Sequence, residues 1–239
     1  MAVRELSAFL PAYDEEPNIG RTVPDLVAAL DRLPLDRFEV IVVDDGSRDA
    51  TAAVADGLAA ADPRVRLVRH DRNRGYGAAL RTGFASARYD WVFFTDADGQ
   101  FDPAEVGLLL DHADRADAVL GYRRNRADHA GRRLNTWLWG RLVWLAVGVR
   151  ARDVDCAFKL IRRDVLAGIG PLEADGAVIS AELLANLQRR GARLAEVAVT
   201  HRPRRAGQAS GADPRVIARA LRELVRLRRR LGEPSVVTA

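Results

Sequence analysis

Short runs of almost entirely apolar residues alternate with helical patterns along the first half of the chain, and this alternation limits the possible folds more than any other feature. The runs at 40–43 (VIVV) and 91–94 (WVFF) contain no polar residue, as is typical of strands buried on both faces of a sheet. Strands that alternate with helices indicate βαβ units and parallel pairing. The sequence therefore predicts an α/β fold in which helices flank a mostly parallel central sheet.

Seven strands and five helices follow from these patterns. The predicted strands lie at 6–10, 40–43, 65–68, 91–95, 118–120, 158–161 and 194–199. The predicted helices lie at 22–33, 51–60, 77–87, 104–113 and 179–190. Because the chain has 239 residues and is 48% hydrophobic, it can build one full core. We expect a single domain at 1–231, which ends in a basic amphipathic helix at about 214–231, followed by a frayed tail at 232–239.

The composition argues against several kinds of protein. The single cysteine, Cys156, cannot form an intrachain disulfide and fits a reducing compartment. The longest apolar stretch, 134–149, is interrupted by Arg141 and is shorter than the roughly 20 apolar residues of a membrane-spanning helix. The charged residues that follow Met1 do not resemble a signal peptide. We therefore expect no disulfide, no spanning segment and no secretory signal.

Carboxylates follow three of the predicted strands. Glu15 comes just after the first strand, Asp45 after the second, and Asp96 and Asp98 after the fourth. Because the carboxyl ends of parallel strands meet at one edge, where open α/β sheets bind ligands, we expect these groups to converge. Converging carboxylates repel one another unless a cation lies among them, and oxygen ligands favour Mg²⁺ or Mn²⁺. Taken singly, each motif is explained as well by a turn or a helix N-cap; the three together favour a binding site.

The motifs PAYDE (11–15), DDGS (44–47) and DADGQ (96–100), in this order, resemble those of the inverting family 2 glycosyltransferases, which have the Rossmann-like GT-A fold. The segments DVDCAFK (153–159) and VTHRPRRAG (199–207) are similar to the dolichyl-phosphate mannose synthase-like branch, which makes polyprenyl-phosphate sugars. The resemblance covers about 6–211. It implies a metal-dependent hexosyltransferase. The sugar would move from a nucleotide sugar, of the GDP-mannose or UDP-glucose type, to dolichyl or undecaprenyl phosphate.

The resemblance also implies roles for individual residues. The nucleotide sugar would be held by Pro11, Tyr13, Glu15, Val43, Asp45, Asp96, Ala97, Asp98 and Arg204. Asp98 and Gln100 would bind Mg²⁺ or Mn²⁺, and the acceptor phosphate would contact Arg123, Arg132 and Thr136. Asp96, Asp98 and Arg123 would serve the catalytic step. Asp14 stands where the family more often has Asn, and no lysine occurs near 210–211, so the donor and the mode of membrane attachment stay open.

The acceptor decides whether a general base is required. A lipid monophosphate is already anionic near neutral pH and needs no strong base, which suits a chain with four histidines, none of them in the acidic motifs. A hydroxyl acceptor would need a carboxylate base. Asp153 and Asp155 are then the first candidates.

Membrane attachment at the cytoplasmic face is predicted from the basic C-terminal helix. Its arginines lie on one face and its apolar residues on another: Arg215, Arg219, Arg222, Arg226 and Arg229 against Ile217, Leu221, Leu224 and Leu231. Such a helix can lie on an anionic bilayer, or it can pack on the core with its arginines in solvent. Trp137, Trp139 and Trp144 likewise suit either an interfacial patch or a packing helix or dimer contact. The oligomeric state is open.

Two other functions compete with sugar transfer. The string DADG at 96–99 resembles the nucleophile loop of haloacid dehalogenase-type phosphohydrolases, but that loop follows the first strand and has a hydroxyl residue after the glycine. A non-catalytic nucleotide- or nucleic-acid-binding protein would explain the ten arginines at 201–230. It would leave the acidic cluster without a role, and we expect no nucleic-acid partner.

Overall fold

A computed structural model describes residues 3–124, 130–204 and 214–232, with side chains throughout these ranges except at 130–137 and 214–217. Within them, the strands are β1 Glu5–Ala12, β2 Arg37–Asp44, β3 Val65–Arg69, β4 Trp91–Thr95, β5 Ala118–Arg123, β6 Phe158–Arg162 and β7 Leu194–Val199. The helices are α1 Glu16–Leu30, α2 Thr51–Ala61, α3 Tyr76–Ser86, α4 Val106–Leu110, α5 Ala130–Val147, α6 Arg163–Gly168, α7 Val178–Arg189 and α8 Pro214–Gly232. A 3₁₀ turn at Pro103–Glu105 precedes α4.

The seven strands form one sheet in the order β3-β2-β1-β4-β6-β5-β7. Every neighbouring pair is parallel except those of β6, which runs antiparallel to both β4 and β5. The prediction of a mostly parallel sheet is therefore confirmed. Because β1 has β2 on one side and β4 on the other, the order of the strands reverses at β1. Such a reversal opens a crevice at the carboxyl ends of the strands.

The core of the sheet is close-packed around aromatic side chains. Phe9 of β1 stacks on Phe94 of β4 with ring centroids 5.4 Å apart, and Phe84 of α3 meets both rings edge-on. Gly83 lets α3 approach this cluster, since a Cβ atom there would lie 2.2 Å from the ring of Phe9. Helix α3 is thus held close to the sheet beside the crevice.

The predicted strands are all confirmed, with ends extended by up to three residues. Helix α1 begins at Glu16 rather than at 22, because Pro17 is compatible with a first helical turn. The helix predicted at 104–113 is wrong in extent, since a 3₁₀ turn and the five residues of α4 replace it. The six residues of α6 are too few for a periodic apolar pattern and escape prediction.

Helix α8 packs against α5 and α7. Leu224 and Leu227 are buried there, whereas Leu221 and Val225 are exposed. The packing alternative therefore holds for the apolar stripe that contains Leu224 and Leu227, while binding of this helix to a bilayer stays a prediction. No helix in the described ranges is long and apolar enough to cross a membrane. The side chains of Arg215, Ile217 and Trp137 lie outside the described residues.

Candidate functional site

The ends of β1, β2 and β4 lie side by side, and the loops that follow β1 and β2 are joined by hydrogen bonds. The backbone N–H of Asp14 donates to Ser47 Oγ (3.0 Å), and Asp14 Oδ1 accepts from the backbone N–H of Arg48 (2.8 Å). Asp14 has φ 53°, a left-handed conformation that Asp and Asn adopt more readily than other non-glycine residues. Asp14 is therefore compatible with this turn.

Asp45 holds the segment that follows β3. Its buried carboxylate accepts hydrogen bonds from His70 Nδ1 (2.7 Å) and from the backbone N–H groups of Arg74 (2.9 Å) and Gly75 (2.8 Å). His70 Nε2 lies 2.9 Å from Thr82 Oγ1 of α3. A carboxylate offers about four lone-pair directions, so at most one is left for a nucleotide. The position of Asp45 beside the crevice agrees with the sequence prediction, but its main bonds are internal.

The other residues predicted to hold the nucleotide lie at the same edge of the sheet. Pro11 and Val43 are register partners at the ends of β1 and β2, and both are buried. Ala97, in the loop after β4, is buried, whereas Tyr13 is partly exposed.

Glu15 and Arg204 meet across 189 residues of sequence. Arg204 pairs with Glu15 Oε1, and Asn18 Nδ2 donates to Glu15 Oε2 at 2.7 Å. Burial raises the pKa of Glu15, and the charge of Asp98 adds to that effect, while Asn18 and Arg204 oppose it. Of the residues assigned to the nucleotide site, Glu15 and Arg204 are thus in contact, and the charge of Asp98 acts on Glu15.

The segment that carries Arg204 is fixed to the loop after β4. The backbone N–H of Arg202 donates to the carbonyl of Gln100 (2.7 Å), and Gln100 Nε2 donates to the carbonyl of Arg202 (3.0 Å). Thr200 binds the carboxylate of Glu105 through both its N–H (2.6 Å) and its hydroxyl (2.7 Å). Because the amide nitrogen of Gln100 faces Arg202, its Oε1 remains as an acceptor for a cation.

Asp96 and Asp98 form the electrostatic centre of the crevice. Burial raises the pKa of Asp96 to about 7, with the charge of Asp98 as the second cause; Tyr76, whose hydroxyl donates to Asp96 Oδ1 at 3.3 Å, opposes the shift. Burial also raises the pKa of Asp98, opposed by the N–H of Gln100, which donates to Asp98 Oδ1 at 3.0 Å, and by Arg204. The charge of Asp98 thus makes ionisation of Asp96 harder.

These carboxylates fit a divalent cation. Lys159 acts on Asp96 and Asp155, and Arg204 acts on Asp98. Burial nevertheless raises the pKa of all three carboxyl groups, so a divalent cation would offset the cost of ionising them. No described residues form a group of three or more His, Cys, Asp or Glu side chains able to hold a metal alone. A cation here would need further oxygen ligands, as Mg²⁺ does when it binds through one or two carboxylates and substrate phosphates.

A second charged group lies on the other side of Asp96, at the end of β5. Arg123 binds Asp153 through two parallel bonds, Nε to Oδ2 (2.7 Å) and Nη2 to Oδ1 (2.8 Å). A guanidinium has five N–H donors, and the pair with Asp153 uses two of them. Asp153 raises the pKa of Arg123 although burial opposes this. The guanidinium is therefore a fixed cation in the crevice.

Asp153 and Asp155 differ in their environments. Asp153 is buried in the pair with Arg123, which disfavours it as a general base. Burial raises the pKa of Asp155, and the charge of Asp153 adds to this, while Trp139 Nε1 donates to Asp155 Oδ1 at 3.3 Å. Trp139 therefore faces the crevice, which favours the packing-helix alternative for this residue. Trp144 is exposed, and the guanidinium of Arg141 lies 4.9 Å from its ring centroid.

Two of the residues predicted to bind the acceptor phosphate lie outside the described side chains. Arg132 and Thr136 belong to α5, but their side chains are not among those described.

Three residues at the site were not predicted from the sequence. Tyr76, His70 and Lys159 all contact predicted site residues or their loops. No local motif marks His70. Lys159, however, is the one lysine in a chain with 36 arginines, a signal that could have identified it.

Comparison with known proteins agrees with this geometry. The sequence matches the family described as "Glycosyl transferase family 2" over residues 7–170. It is 32% identical over 212 residues to dodecaprenyl-phosphate galacturonate synthase of Rhizobium johnstonii, covering 85% of this chain and 60% of that protein. It is 34% identical over 166 residues to undecaprenyl-phosphate 4-deoxy-4-formamido-L-arabinose transferase of Aeromonas hydrophila, covering 69% and 51%. The chain therefore spans less than two thirds of the length of these relatives.

The fold is also that of solved structures. Glucosyl-3-phosphoglycerate synthase of Mycobacterium tuberculosis, crystallised with Mn²⁺, UDP and glucosyl-3-phosphoglycerate, superposes with a TM-score of 0.73 at 24% identity, over 98% of this chain and 82% of that one. This likeness establishes the GT-A fold. The family match covers more than half of the chain and argues against both the phosphohydrolase and the non-catalytic alternative. From its sequence motifs, its fold and these comparisons, the chain belongs to glycosyl transferase family 2.

Proposed function

We propose that this chain is an inverting hexosyltransferase that moves a sugar from a nucleotide sugar to a polyprenyl phosphate. The observation that carries the proposal is the crevice in which Glu15, Asp98 and Arg204 lie beside Asp96, with the fixed cation Arg123 on the opposite side. The side that contains Asp96 and Asp98 suits a cation bound to a diphosphate. The side that contains Arg123 suits an anionic acceptor. Both relatives named above act on polyprenyl phosphates according to their names.

On the donor side, the nucleotide would lie along the ends of β1 and β2, against Pro11, Tyr13, Val43 and Asp45. Asp98 and Gln100 would hold Mg²⁺ or Mn²⁺ together with oxygens of the diphosphate. A bound divalent cation offsets the charge that develops on a departing diphosphate. Arg204, already anchored to Glu15, is placed to add a second positive charge at that point.

On the acceptor side, Arg123 would bind the phosphate of the lipid, with Arg132 and Thr136 of α5 as further contacts. Arg123 would orient the phosphate without loss of the pair with Asp153, which uses two of its five N–H donors. Because the phosphate is the nucleophile, no general base is needed. If the acceptor were a hydroxyl, Asp155 would be the better base, since Asp153 is held by Arg123.

The lipid acceptor requires access to a membrane. Leu138, Leu142 and Leu145 of α5 and Leu221 and Val225 of α8 are exposed on two helices that pack together; we call these residues the α5–α8 face. Most charged residues of α8 are arginines. An apolar surface with a basic rim fits an anionic bilayer. We infer that residues 1–231 act as one GT-A domain that binds peripherally at the inner face of the cell membrane.

A transfer assay tests the proposal. The purified chain is incubated with Mn²⁺, GDP-mannose or UDP-glucose, and either undecaprenyl phosphate or undecaprenol. We expect sugar transfer to the phosphate alone, with inversion at the anomeric carbon, and loss of transfer in EDTA. Transfer to the alcohol at an equal rate would contradict a phosphate acceptor. Thermal shifts with a panel of nucleoside diphosphates, with and without Mn²⁺, would identify the nucleotide independently.

A further inference from the structure

Lys159 has no role in the mechanism described so far, although it lies below the centre of the site. It is the one lysine of a chain that contains 36 arginines. It lies on β6 opposite Phe94 of β4 and Leu120 of β5, and it is fully buried. All the other positions with a long basic side chain have arginine. The lysine at 159 therefore indicates that this position requires a compact ammonium group rather than a planar guanidinium.

The ammonium group binds a single short segment. Nζ donates to the carbonyl of Val154 at 3.1 Å and to the carbonyl of Cys156, and it lies 5.6 Å from the ring centroid of Phe94. Both acceptors belong to the loop at 153–156, which carries Asp153 and Asp155. Two backbone carbonyls of a loop without regular structure are thus tied to the rigid sheet by one side chain.

The surroundings favour keeping the charge in place. Burial lowers the pKa of Lys159, and nearby Cys156, Asp153, Asp155 and Asp96 act in the opposite direction. An isolated buried ammonium is costly. Here the carboxylates on both the donor and the acceptor side of the crevice offset that cost. Burial also raises the pKa of the Cys156 thiol to about 12, so near neutral pH the carboxylates alone supply this opposing charge.

We propose that Lys159 is a positioning residue for the acceptor: it fixes the loop at 153–156, and through Asp153 it holds the guanidinium of Arg123 in place. The loop supplies the only described carboxylate that pairs with Arg123. A displaced loop would release Arg123 towards solvent or towards Asp96, whose charge already acts on it. The inference rests on the proposed function in so far as Arg123 receives the acceptor phosphate.

The first test measures the loop itself and needs no activity. Lys159→Met keeps the length of the side chain and removes the charge and the donors, whereas Leu160→Val truncates a fully buried neighbour on the same strand as a matched control. We expect amide hydrogen exchange at 153–157 to become faster in Lys159→Met but not in Leu160→Val. Exchange at 72–76, around the nucleotide site, should be unchanged in both. Equal exchange at 153–157 in Lys159→Met and wild type would overturn the proposal.

The second test compares the effect of the substitution on binding of the acceptor lipid with its effect on binding of the nucleotide. In Lys159→Met we expect KM for undecaprenyl phosphate to rise about tenfold, as for the loss of one charge-assisted contact, with the Kd of the nucleoside diphosphate within about twofold of wild type. An unchanged acceptor KM, or an equal loss of nucleotide binding, would refute a positioning role. If Lys159→Met does not fold, Lys159→Leu, which also removes the charge and the N–H donors, is judged by the same outcomes. Failure of the wild type to use any polyprenyl phosphate would instead refute the proposed function, and the exchange experiment would still decide whether Lys159 holds the loop.

Discussion

At the scale of single residues, the site is organised by carboxylates that are costly to ionise together. The charge of Asp98 raises the pKa of Asp96 beyond the effect of burial, while Glu15 and Asp153 are each paired with an arginine. Natural sequences retain such clusters where a ligand relieves the repulsion. Two predictions follow from this arrangement, one for the chemistry and one for the stability.

Asp98→Asn should abolish most of the metal-dependent transfer. The substitution keeps the shape of the side chain and removes the charge that would hold the cation, so we expect kcat/KM to fall on the order of 100-fold or more. Asp25→Asn, on the exposed face of α1, should keep wild-type activity. Circular dichroism checks that both variants are folded. Full activity in Asp98→Asn would remove Asp98 from the mechanism.

The metal-free protein should lose stability as the pH rises. The pKa of Asp96 is about 7 in the folded chain, against 3.8 for an ordinary aspartate, so between these values the folded state binds the proton that the unfolded state has lost. This contribution to stability is complete below about pH 4 and is lost as pH rises to 7. We expect Asp96→Asn to flatten this part of the Tm–pH profile in EDTA. Mn²⁺ should restore the Tm of the wild type at pH 8; an identical slope in both proteins would contradict the assignment.

At the scale of elements, close approaches of helices to the sheet shape the crevice. Helix α3 begins at Tyr76, whose hydroxyl reaches Asp96, and it packs on the Phe9–Phe94 pair through Gly83. The same helix carries Thr82, which contacts His70. The position of α3 therefore affects both the carboxylate of Asp96 and the segment at 74–75 that Asp45 binds.

Two glycine substitutions test that close packing. In Gly83→Ala the new methyl group would lie 2.2 Å from the buried ring of Phe9, so we expect a loss of about 1–3 kcal/mol in the free energy of unfolding. Gly57→Ala lies in the interior of α2 with nothing within 4 Å of the added Cβ atom. That variant should gain about 0.5–1 kcal/mol, because alanine favours the helix. Urea unfolding measures both; a stable Gly83→Ala would show that α3 can shift.

At the scale of the whole molecule, the proposed function requires the crevice and the α5–α8 face to serve one lipid substrate. Helix α5 joins them, since Trp139 reaches Asp155 in the crevice while Leu142 and Leu145 are exposed. On this proposal, a phosphate bound at Arg123 would belong to a lipid whose tail stays near the exposed part of α5.

Membrane binding is tested with vesicles that contain phosphatidylglycerol. We expect the wild-type chain to sediment with them and to dissociate as salt increases, because the arginines of α8 contribute electrostatic attraction. The double variant Leu221→Asp, Val225→Asp should bind at least tenfold more weakly, since it places charge in the apolar surface. Leu108→Asp, an equally exposed leucine on α4, is the control and should bind normally. Undiminished binding of the double variant would exclude this face as the membrane surface.

The sequence by itself determined the fold class, the positions of the strands and the acidic edge of the sheet. These features are encoded locally: buried strands are apolar runs, and the groups at strand ends follow those runs directly, as with Asp45, Asp96 and Asp98. The limits of the helices were less predictable. The first turn of α1 contains Pro17 and lacks the apolar periodicity of the later turns, and α6 is too short to show any periodicity.

Only the tertiary structure decided which charged groups are partners. It joins Glu15 to Arg204 across 189 residues and Arg123 to Asp153 across 30, and it commits Asp45 largely to His70 and the backbone at 74–75. It also places the single lysine against the loop at 153–156. No local pattern specifies such pairs, because their distance and burial depend on how the whole sheet and its helices pack together.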